Sequence, residues 1–243
     1  MDPEYARRYR ELYERHWWWR ARERFVLETV RRYLAGVERR PILDVGCGDG
    51  LLFDQLGQFG EVWGVESDAS LVSAGNPHRD RIHVGPFDAS YRPGRRYGLV
   101  LMLDVIEHLP DPAGALRHAV ALLEPDGMLV ATVPAFRMLW TTHDVLNHHY
   151  TRYTRRSFGA LARSAGLHVV RAGYFFHWMF PAKLGVRLLE AARRPRPASP
   201  RVPPPWINEP LYLLSRLEQR LLTPLGVPFG SSLLAVARVT APD

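Results

Sequence analysis

The segment Leu43-Asp44-Val45-Gly46-Cys47-Gly48-Asp49-Gly50 decides the fold of this chain. Its first residues end a short apolar strand, Pro41–Val45, and a helical pattern begins near Leu51, directly after the glycines. Glycine in such a turn leaves no side chain in the way of a ligand that approaches the backbone. The free N–H groups at the start of the helix point to the same place. The segment therefore predicts a strand, a turn and a helix that together form a ligand site.

Strands and helices alternate through most of the 243 residues. This alternation is typical of a parallel sheet with helices on both faces, so the sequence predicts an α/β fold. Six more strands are predicted after the first: Glu61–Val65, Arg81–Val84, Tyr97–Leu103, Gly127–Val133, Leu167–Tyr174 and Ser231–Val239.

Helical regions flank and interrupt this pattern. Tyr5–Gly36 is predicted as helix before the first strand, Ala69–Gly75 as a short helix, and Phe175–Ala192 and Ile207–Leu222 as helices between the last two strands. We therefore expect four parts: an N-terminal helical segment at 1–40, an α/β core at 41–174, a helical insertion at 175–230 and the final strand at 231–243.

Acidic residues stand at the carboxyl ends of the predicted strands, which is the edge of an open α/β sheet where ligands bind. Glu66 ends strand two, Asp88 follows strand three and Asp104 ends strand four. Glu66 lies where a carboxylate can accept both hydroxyls of a ribose. Asp88 could accept a hydrogen bond from an adenine amino group. Together with the glycine turn, these residues predict a ligand that contains adenosine.

Two other interpretations of the glycine turn stay open at this point. A nicotinamide dinucleotide site has the spacing G-x-G-x-x-G. Here the spacing is G-x-G-x-G, and Leu51 occupies the place of the third glycine. The turn could also be purely structural.

The opening segment resembles the signature of class I S-adenosylmethionine-dependent methyltransferases, and Asp104-Val105-Ile106-Glu107-His108-Leu109 is similar to the segment that those enzymes carry after strand four. The resemblance implies a Rossmann-like fold, with a seven-stranded, mostly parallel sheet that ends in an antiparallel hairpin. It implies S-adenosylmethionine as cofactor, S-adenosylhomocysteine as product, and residues 1–40 as a lid. The implied cofactor contacts are Asp44, Gly46, Gly48, Leu103 and Asp104 at the methionine part, Glu66 at the ribose, Asp88 at the adenine, Trp19 and Arg22 in the lid, and their neighbours Cys47, Ser67 and Ala89.

Methyl transfer to a hydroxyl or an amine also requires a base. Ala135–Tyr153 follows strand five and therefore lies at the same edge of the sheet as the cofactor residues. His143 and His149 are its groups best suited to accept a proton near pH 7, and Asp144 could orient either of them. The alternative is a polar loop whose histidines satisfy backbone groups.

The segment after strand four raises the question of a metal. Some methyltransferases with a similar segment bind magnesium through Glu-x-x-Glu-His, whereas this chain has Asp104-x-x-Glu107-His108. Magnesium prefers oxygen ligands, so Asp104 and Glu107 could suffice. We favour a helix N-terminus whose dipole stabilises the two acids, and we expect no metal.

The composition limits the classes of partner and the cellular compartments that fit this chain. The formal net charge is +7, and its scattered basic residues favour an acidic small molecule or an anionic lipid over nucleic acid. Cys47 is the only cysteine, which fits a reducing compartment. The charged start Met1–Arg40 predicts no signal peptide, and no apolar run reaches the length of a spanning helix. We expect a cytoplasmic protein, with contact to the inner face of the membrane as an option.

Residues 175–196 combine an apolar run at 175–180 with basic residues. The run either packs against the domain or across a homodimer, or forms a groove for a lipid-like substrate at a membrane. Anionic head groups would suit the basic residues Lys183, Arg187, Arg193, Arg194 and Arg196.

The function that fits best is methyl transfer to an oxygen or nitrogen of a small-molecule or lipid-like acceptor. The alternatives are an RNA or protein methyltransferase, a non-catalytic adenosine-binding module, and a nicotinamide oxidoreductase. A basic groove with exposed aromatic side chains beside the methyl site would favour an RNA substrate.

Overall fold

A seven-stranded sheet lies at the centre of the computed structural model, which describes residues 3–36, 38–193 and 200–240. Its strands are β1 (Ile42–Val45), β2 (Val62–Glu66), β3 (Ile82–Val84), β4 (Tyr97–Leu103), β5 (Leu123–Pro134), β6 (Leu167–Phe175) and β7 (Ser232–Val239). Their order is β3-β2-β1-β4-β5-β7-β6. Strands β1 to β5 run parallel, and β7 is antiparallel to both β5 and β6. The seven predicted strands and the mostly parallel sheet are confirmed.

Helices cover both faces of the sheet. They are α1 (Pro3–Arg15), α2 (Trp17–Leu34), α3 (Phe53–Leu56), α4 (Pro112–Leu122), α5 (Thr142–Leu146), α6 (Arg155–Ser164), α7 (Met179–Arg193) and α8 (Pro205–Leu221). Side chains alternate between the faces along a strand. In β4, Val100 and Met102 join α4 and α6 in one core, whereas Leu99 and Leu101 join α2 and α3 in the other. The strands are therefore apolar on both sides, as buried parallel strands are.

The predicted helix Tyr5–Gly36 is two helices, broken at His16. His16 has extended backbone angles, and its Nδ1 accepts a hydrogen bond from the N–H of Trp18. The side chain of Asn208, far away in sequence, accepts from the N–H of Trp17. The prediction was wrong because a helix break of this kind depends on a tertiary contact, which does not alter the apolar periodicity.

Three further helix predictions need correction. The helix after the glycine turn begins at Phe53 rather than near Leu51 and has only 4 residues. The predicted helix Ala69–Gly75 is a single 3₁₀ turn, Ala69–Leu71, which the Asp68 side chain caps at its start and which ends because Val72 has extended backbone angles. Phe175 belongs to β6, so the following helix starts only at Met179.

The apolar run at 175–180 packs within the chain itself. Phe175 and Phe176 are fully buried, and the Phe176 ring stacks on Trp18 with ring centroids 5.7 Å apart. Of the two interpretations of this run, packing against the domain therefore holds for these residues.

The regions predicted as lid and insertion are helical. Helices α1 and α2 precede β1, and α7 and α8 lie between β6 and β7. The division into functional parts stays a prediction. Arg194, Arg196 and residues 241–243 lie outside the described residues, as does the side chain of Arg193. Within the described residues, no helix combines the length and the apolar character needed to cross a membrane.

Candidate active site

The glycine turn between β1 and α3 needs its glycines for its own shape. Gly46 and Gly48 have φ angles of +72° and +54°, which favour glycine. A Cβ on Gly46 would lie 2.5 Å from Cγ2 of Val105, and one on Gly48 would lie 3.3 Å from Cε1 of Tyr9. The space that these glycines leave open is therefore occupied by protein side chains, and the short α3 offers no extended helix terminus behind the turn.

Glu66 ties this turn to the end of β2. Its Oε2 accepts a hydrogen bond from the Gly48 N–H at 2.9 Å, and its Oε1 accepts one from the Asp68 N–H at 2.8 Å. The side chain is only 6% exposed. Each carboxylate oxygen can accept a second hydrogen bond. Glu66 is therefore a fixed pair of acceptors at the position predicted for the ribose.

Asp44, at the end of β1, is a second buried acid beside the turn. Burial raises the pKa of Asp44 to about 7; the positive charge of Arg22 opposes this shift and the negative charge of Glu66 adds to it. A buried carboxylate is most easily kept ionised by a nearby cation. The side chain is thus suited to a positively charged ligand group.

Two side chains from the N-terminal helices lie at the same place. Arg22 of α2 is buried, and its Nε lies 2.5 Å from Oδ2 of Asp104 while its Nη2 donates to the Leu103 carbonyl at 3.0 Å. Tyr9 of α1 lies against Gly48, and desolvation raises its pKa to about 12. Arg22 was predicted for this position from the resemblance. Tyr9 was missed because it lies on a helix face with no distinguishing motif.

Trp19, the tryptophan predicted to contact the cofactor, is buried and packs edge-on against His16 and Trp18, with ring centroids 4.9 and 5.1 Å away. Trp18 is half-buried, and the Arg22 guanidinium lies 5.5 Å from its ring centroid. Trp18 therefore lies beside Arg22 at the site. The ring contacts of Trp19 with His16 and Trp18 lie at the break between α1 and α2.

The residues predicted at the adenine end lie on the surface. Ser67, Asp88 and Ala89 are exposed. Hydrogen bonds from Ser90 hold the pKa of Asp88 below its usual range, and Oδ1 of Asp88 receives both of them. Cys47 differs from these three because its side chain packs into the apolar core beside Phe53. Burial raises the pKa of the Cys47 thiol, so this group is a filler rather than a nucleophile.

The loop after β5 contains a buried charge cluster around Asp144. Oδ1 and Oδ2 of Asp144 accept from Nε and Nη2 of Arg152, both at 2.8 Å, and Oδ1 also lies 2.8 Å from Nδ1 of His149. Arg152 donates in addition to the Ala135 carbonyl at 3.0 Å, which fixes the loop to the end of β5. Burial alone would raise the pKa of Asp144, but the hydrogen bonds from His149 and Arg152 hold it well below its usual range.

This geometry separates the two predicted histidines. Asp144 orients His149 through Nδ1, so Nε2 is the ring nitrogen left to take part in a proton transfer. His143 instead lies against the side-chain amide of Asn147. Desolvation, together with the positive charge of Lys183, lowers the pKa of His143 to about 4. His149 is therefore better placed than His143 to accept a proton from an acceptor.

Lys183 of α7 is a basic group that the sequence did not assign to this site. Desolvation and the nearby Arg152 lower the pKa of Lys183 to about 8, whereas Asp144 and Asp104 raise it. Arg152 was also missed. The spacing of residues in the sequence gave no signal for Lys183 or Arg152. The loop after β5 brings Arg152 to the site, and the packing of α7 brings Lys183 there.

Glu107, His108 and His149 form a group that could hold a cation, since one ligand atom from each lies within 4.8 Å of the others. Oε2 of buried Glu107 has no hydrogen-bond partner among the described residues. Asp104, which the magnesium alternative required, is paired with Arg22 instead. Two imidazoles and a carboxylate suit a transition metal or zinc better than magnesium.

Solved structures with this fold include methyltransferases. The methyltransferase bound to the Trm112 activator of Haloferax volcanii matches 99% of this chain and 96% of its own, with a TM-score of 0.61 and 19% identity. The 1,6-didemethyltoxoflavin-N1-methyltransferase of Burkholderia thailandensis, solved with S-adenosylhomocysteine, matches 90% of this chain and 78% of its own, with a TM-score of 0.53 and 18% identity. The fold is thus of the class I methyltransferase type.

The family follows from the sequence match. A family model described as a methyltransferase domain matches residues 18–172, and the chain belongs to this family. The ubiquinone biosynthesis O-methyltransferase of Bradyrhizobium diazoefficiens is 34% identical over 100 residues, which cover 37% of this chain and 38% of that protein. The chain spans less than half the length of the curated relatives it matches. The family predicted from the glycine turn is confirmed.

Proposed function

We propose that this protein transfers the methyl group of S-adenosylmethionine to an oxygen or nitrogen of a small-molecule or lipid-like acceptor. The observation that carries the proposal is the buried Glu66 carboxylate, held by the N–H groups of Gly48 and Asp68 at the end of β2. Membership of the methyltransferase-domain family supports the same conclusion. Asp44 adds a buried negative charge that suits the cationic methionine part of the cofactor.

When bound, S-adenosylmethionine supplies a methyl group on a positively charged sulfur that is already a good leaving group. The residues of this chain orient that group and exclude water from it. Tyr9 and Arg22 take part in this exclusion, since both lie over the acids that surround the turn.

His149 is the proposed base for the acceptor. Its Nδ1 is held by Asp144, so Nε2 receives the proton of the acceptor hydroxyl or amine as the new bond to the methyl carbon forms. The ammonium group of Lys183 lies in the same charge cluster and stabilises negative charge that develops on an acceptor oxygen.

A second candidate for this proton-removal step is a cation held by Glu107, His108 and His149. The specific observation in its favour is Oε2 of Glu107, which is buried and has no partner among the described residues. Such a cation would lower the pKa of a coordinated hydroxyl.

Methyl-labelled S-adenosylmethionine and an alkyl-substituted catechol test the proposal, since the matched curated relatives are O-methyltransferases of ubiquinone biosynthesis. We expect a methylated catechol from the wild-type protein. His149→Gln should lower the rate by about 10²–10⁴-fold without changing the affinity for S-adenosylhomocysteine. His148→Asn is the matched control, because His148 is the exposed neighbour with a φ of 55° and Asn tolerates this backbone.

The same assay separates the two candidates for proton removal. If His149 acts as the base, treatment with a chelator leaves the rate unchanged. If the chelator abolishes the activity and a divalent cation restores it, a bound cation rather than His149 as base promotes removal of the proton. Equal rates for His149→Gln and His148→Asn would contradict both candidates.

The proposal extends to the partners of this protein, which are a membrane surface or a second copy of the chain, and the acceptor molecule. We propose a peripheral membrane contact within the insertion, first predicted for 175–196, and a homodimer as its competitor. The preferred acceptor is a hydroxyl on a lipid-like molecule, which the name of the matched relatives supports. An RNA or protein acceptor is the alternative.

A further inference from the structure

Helix α8 buries polar residues and exposes apolar ones. Its buried side chains include Asn208, Ser215 and Gln219; Asn208 accepts from the Trp17 N–H of α2, Gln219 donates to the Ala21 carbonyl of α2, and Ser215 accepts from the Trp178 ring N–H. The outward side chains are mostly apolar, with Trp206 75% exposed, and Glu209 and Arg220 are the charged residues among them. A soluble helix has the opposite arrangement, with its apolar stripe toward the core. The outward face of α8 is therefore built for surroundings other than water.

The exposed apolar residues form one continuous stripe. Positions three, four and seven apart lie on the same side of a helix. The exposed apolar residues follow the spacing of three and four from Leu213 into the turn after α8, and Trp206 lies seven residues before Leu213. They are Trp206, Leu213, Leu214, Leu217, Leu221 and Leu225. An exposed apolar patch of this extent marks a protein or membrane contact.

The charge around this stripe favours an anionic surface. By sequence, residues 175–230 carry a formal net charge of +5, from eight Lys and Arg residues and three Glu residues. Among the described residues, Arg216 is paired with Glu28, Glu209 is paired with Arg20, and Lys183 belongs to the charge cluster at the site. Arg201 and Arg220 are exposed near the two ends of α8. A copy of the same basic surface would repel this one, so charge argues against a dimer across this face. An apolar stripe with flanking arginines is typical of a helix that lies in the interface of an anionic membrane.

Hydrogen bonds connect α8 to the loop that carries the proposed base. Trp178, just before α7, donates through its backbone N–H to Glu218 of α8 at 3.0 Å and through its ring N–H to Ser215 at 3.1 Å. Farther along α7, Glu190 accepts from the N–H and the hydroxyl of Thr142 at 2.9 and 2.8 Å. Thr142 begins α5, which contains Asp144. Helix α7 therefore links α8, at one end, to the loop that carries the proposed base, at the other.

We infer that the outward stripe of α8 docks this protein on an anionic lipid bilayer, with the leucines in the acyl boundary and the arginines at the head groups. Docking itself does not depend on methyl transfer. The further step, that the acceptor enters from the bilayer, rests on the proposed function. This inference moves the predicted membrane contact from 175–196, whose first residues Phe175 and Phe176 are buried, to 205–225.

Vesicle flotation with the full-length protein tests the inference. The probes are vesicles of phosphatidylcholine alone and of phosphatidylcholine mixed with phosphatidylglycerol. We expect binding to the anionic vesicles, weak binding to the neutral ones, and at least about a tenfold loss of affinity in the double variant Leu213→Ser/Leu217→Ser, since each buried leucine contributes to the transfer free energy. Val145→Ser/Val170→Ser is the matched control, because these valines are exposed elsewhere.

Absence of binding to anionic vesicles, or equal losses in the two double variants, would overturn the inference. Light scattering without lipid addresses the competing occupant: a dimer that dissociates in Leu213→Ser/Leu217→Ser would assign the stripe to a second copy of this chain. Calorimetry with S-adenosylhomocysteine on the same variants keeps the two proposals apart. If the protein binds S-adenosylhomocysteine but not vesicles, only the proposed docking surface is contradicted. If it binds vesicles but not S-adenosylhomocysteine, only the proposed methyltransferase function is contradicted.

Discussion

Asp44 shows how a single buried carboxylate can select a ligand by charge. It lies at the end of β1 with Arg22 and Glu66 as the charged groups that act on its pKa, and Tyr9 and Asp104 lie in the same cluster. Burial is the largest effect, and it favours the protonated form. A cationic cofactor beside Asp44 reverses this balance because it stabilises the carboxylate.

Cofactor affinity should consequently depend on pH. The pKa of Asp44 is about 7 in the free protein and falls when the cation binds, so binding releases a proton below pH 7. We expect the affinity for S-adenosylmethionine to rise by up to about tenfold per pH unit between pH 5.5 and 7 and then to level off. Calorimetry across this range, in buffers of different ionisation enthalpy, measures both the affinity and the released protons.

Asp44→Asn is the matched variant for this experiment, because it keeps the shape and removes the titration. Its affinity should be weaker and nearly independent of pH over the same range. A wild-type affinity that does not change between pH 5.5 and 7 would show that Asp44 is ionised in the free protein and would remove it from this role.

At the scale of elements, the break between α1 and α2 depends on a histidine that must stay neutral. Nδ1 of His16 accepts from the Trp18 N–H at 3.1 Å, and burial lowers the pKa of His16 to about 4. A protonated ring could not accept this hydrogen bond. The folded-state pKa lies below the ordinary value of 6.5, so this stabilisation is present above about pH 6.5 and is lost as the pH falls toward 4.

His16→Asn should flatten part of the pH dependence of stability, since Asn is a good helix N-cap that does not titrate. Relative to the variant, we expect the wild-type free energy of unfolding to fall by on the order of 1–2 kcal/mol between pH 6.5 and 4. Urea unfolding at several pH values measures this difference. Parallel pH profiles for the two proteins would mean that His16 does not couple protonation to folding.

The elements differ in how far the sequence predicts them. The strands were predicted within a few residues because buried parallel strands such as β4 are continuous apolar runs. The break at His16 was missed, since it depends in part on Asn208, which is distant in sequence. The sequence also gave no signal that α3 has only 4 residues. At the site, Glu66 and Arg22 followed from motif and resemblance. Tyr9, Arg152 and Lys183 did not, because only the packing of α1, the loop after β5 and α7 brings them to the sheet edge.

At the scale of the whole molecule, α8 connects the insertion to the N-terminal helices. Asn208 accepts from the Trp17 N–H and donates to the Arg15 carbonyl, both at 2.9 Å, and so satisfies two backbone groups at the break between α1 and α2. Arg216 pairs with Glu28 on α2. These contacts hold α8, which carries the exposed stripe, against α1 and α2, which contribute Tyr9 and Arg22 to the cofactor side of the sheet.

Removing the Asn208 side chain should destabilise the protein more than removing its neighbour. Asn208→Ala removes the partner of the buried Trp17 N–H and of the Arg15 carbonyl, and we expect a loss of about 1–3 kcal/mol in the free energy of unfolding. Glu209→Ala, which removes an exposed ion pair with Arg20, should cost at most about 1 kcal/mol. Urea denaturation compares the two variants, and equal losses would contradict the role of Asn208.

The central claim for the whole molecule is that the edge of the sheet holds S-adenosylmethionine. Calorimetric titration with S-adenosylhomocysteine, with NADH alongside, tests it in the wild type, in Glu66→Gln and in the control Glu61→Gln, an exposed residue just before β2. We predict saturable binding of S-adenosylhomocysteine, no binding of NADH, and a loss of about 1–3 kcal/mol in Glu66→Gln alone, with circular dichroism confirming its fold. No binding of S-adenosylhomocysteine, or a preference for NADH, would contradict the account.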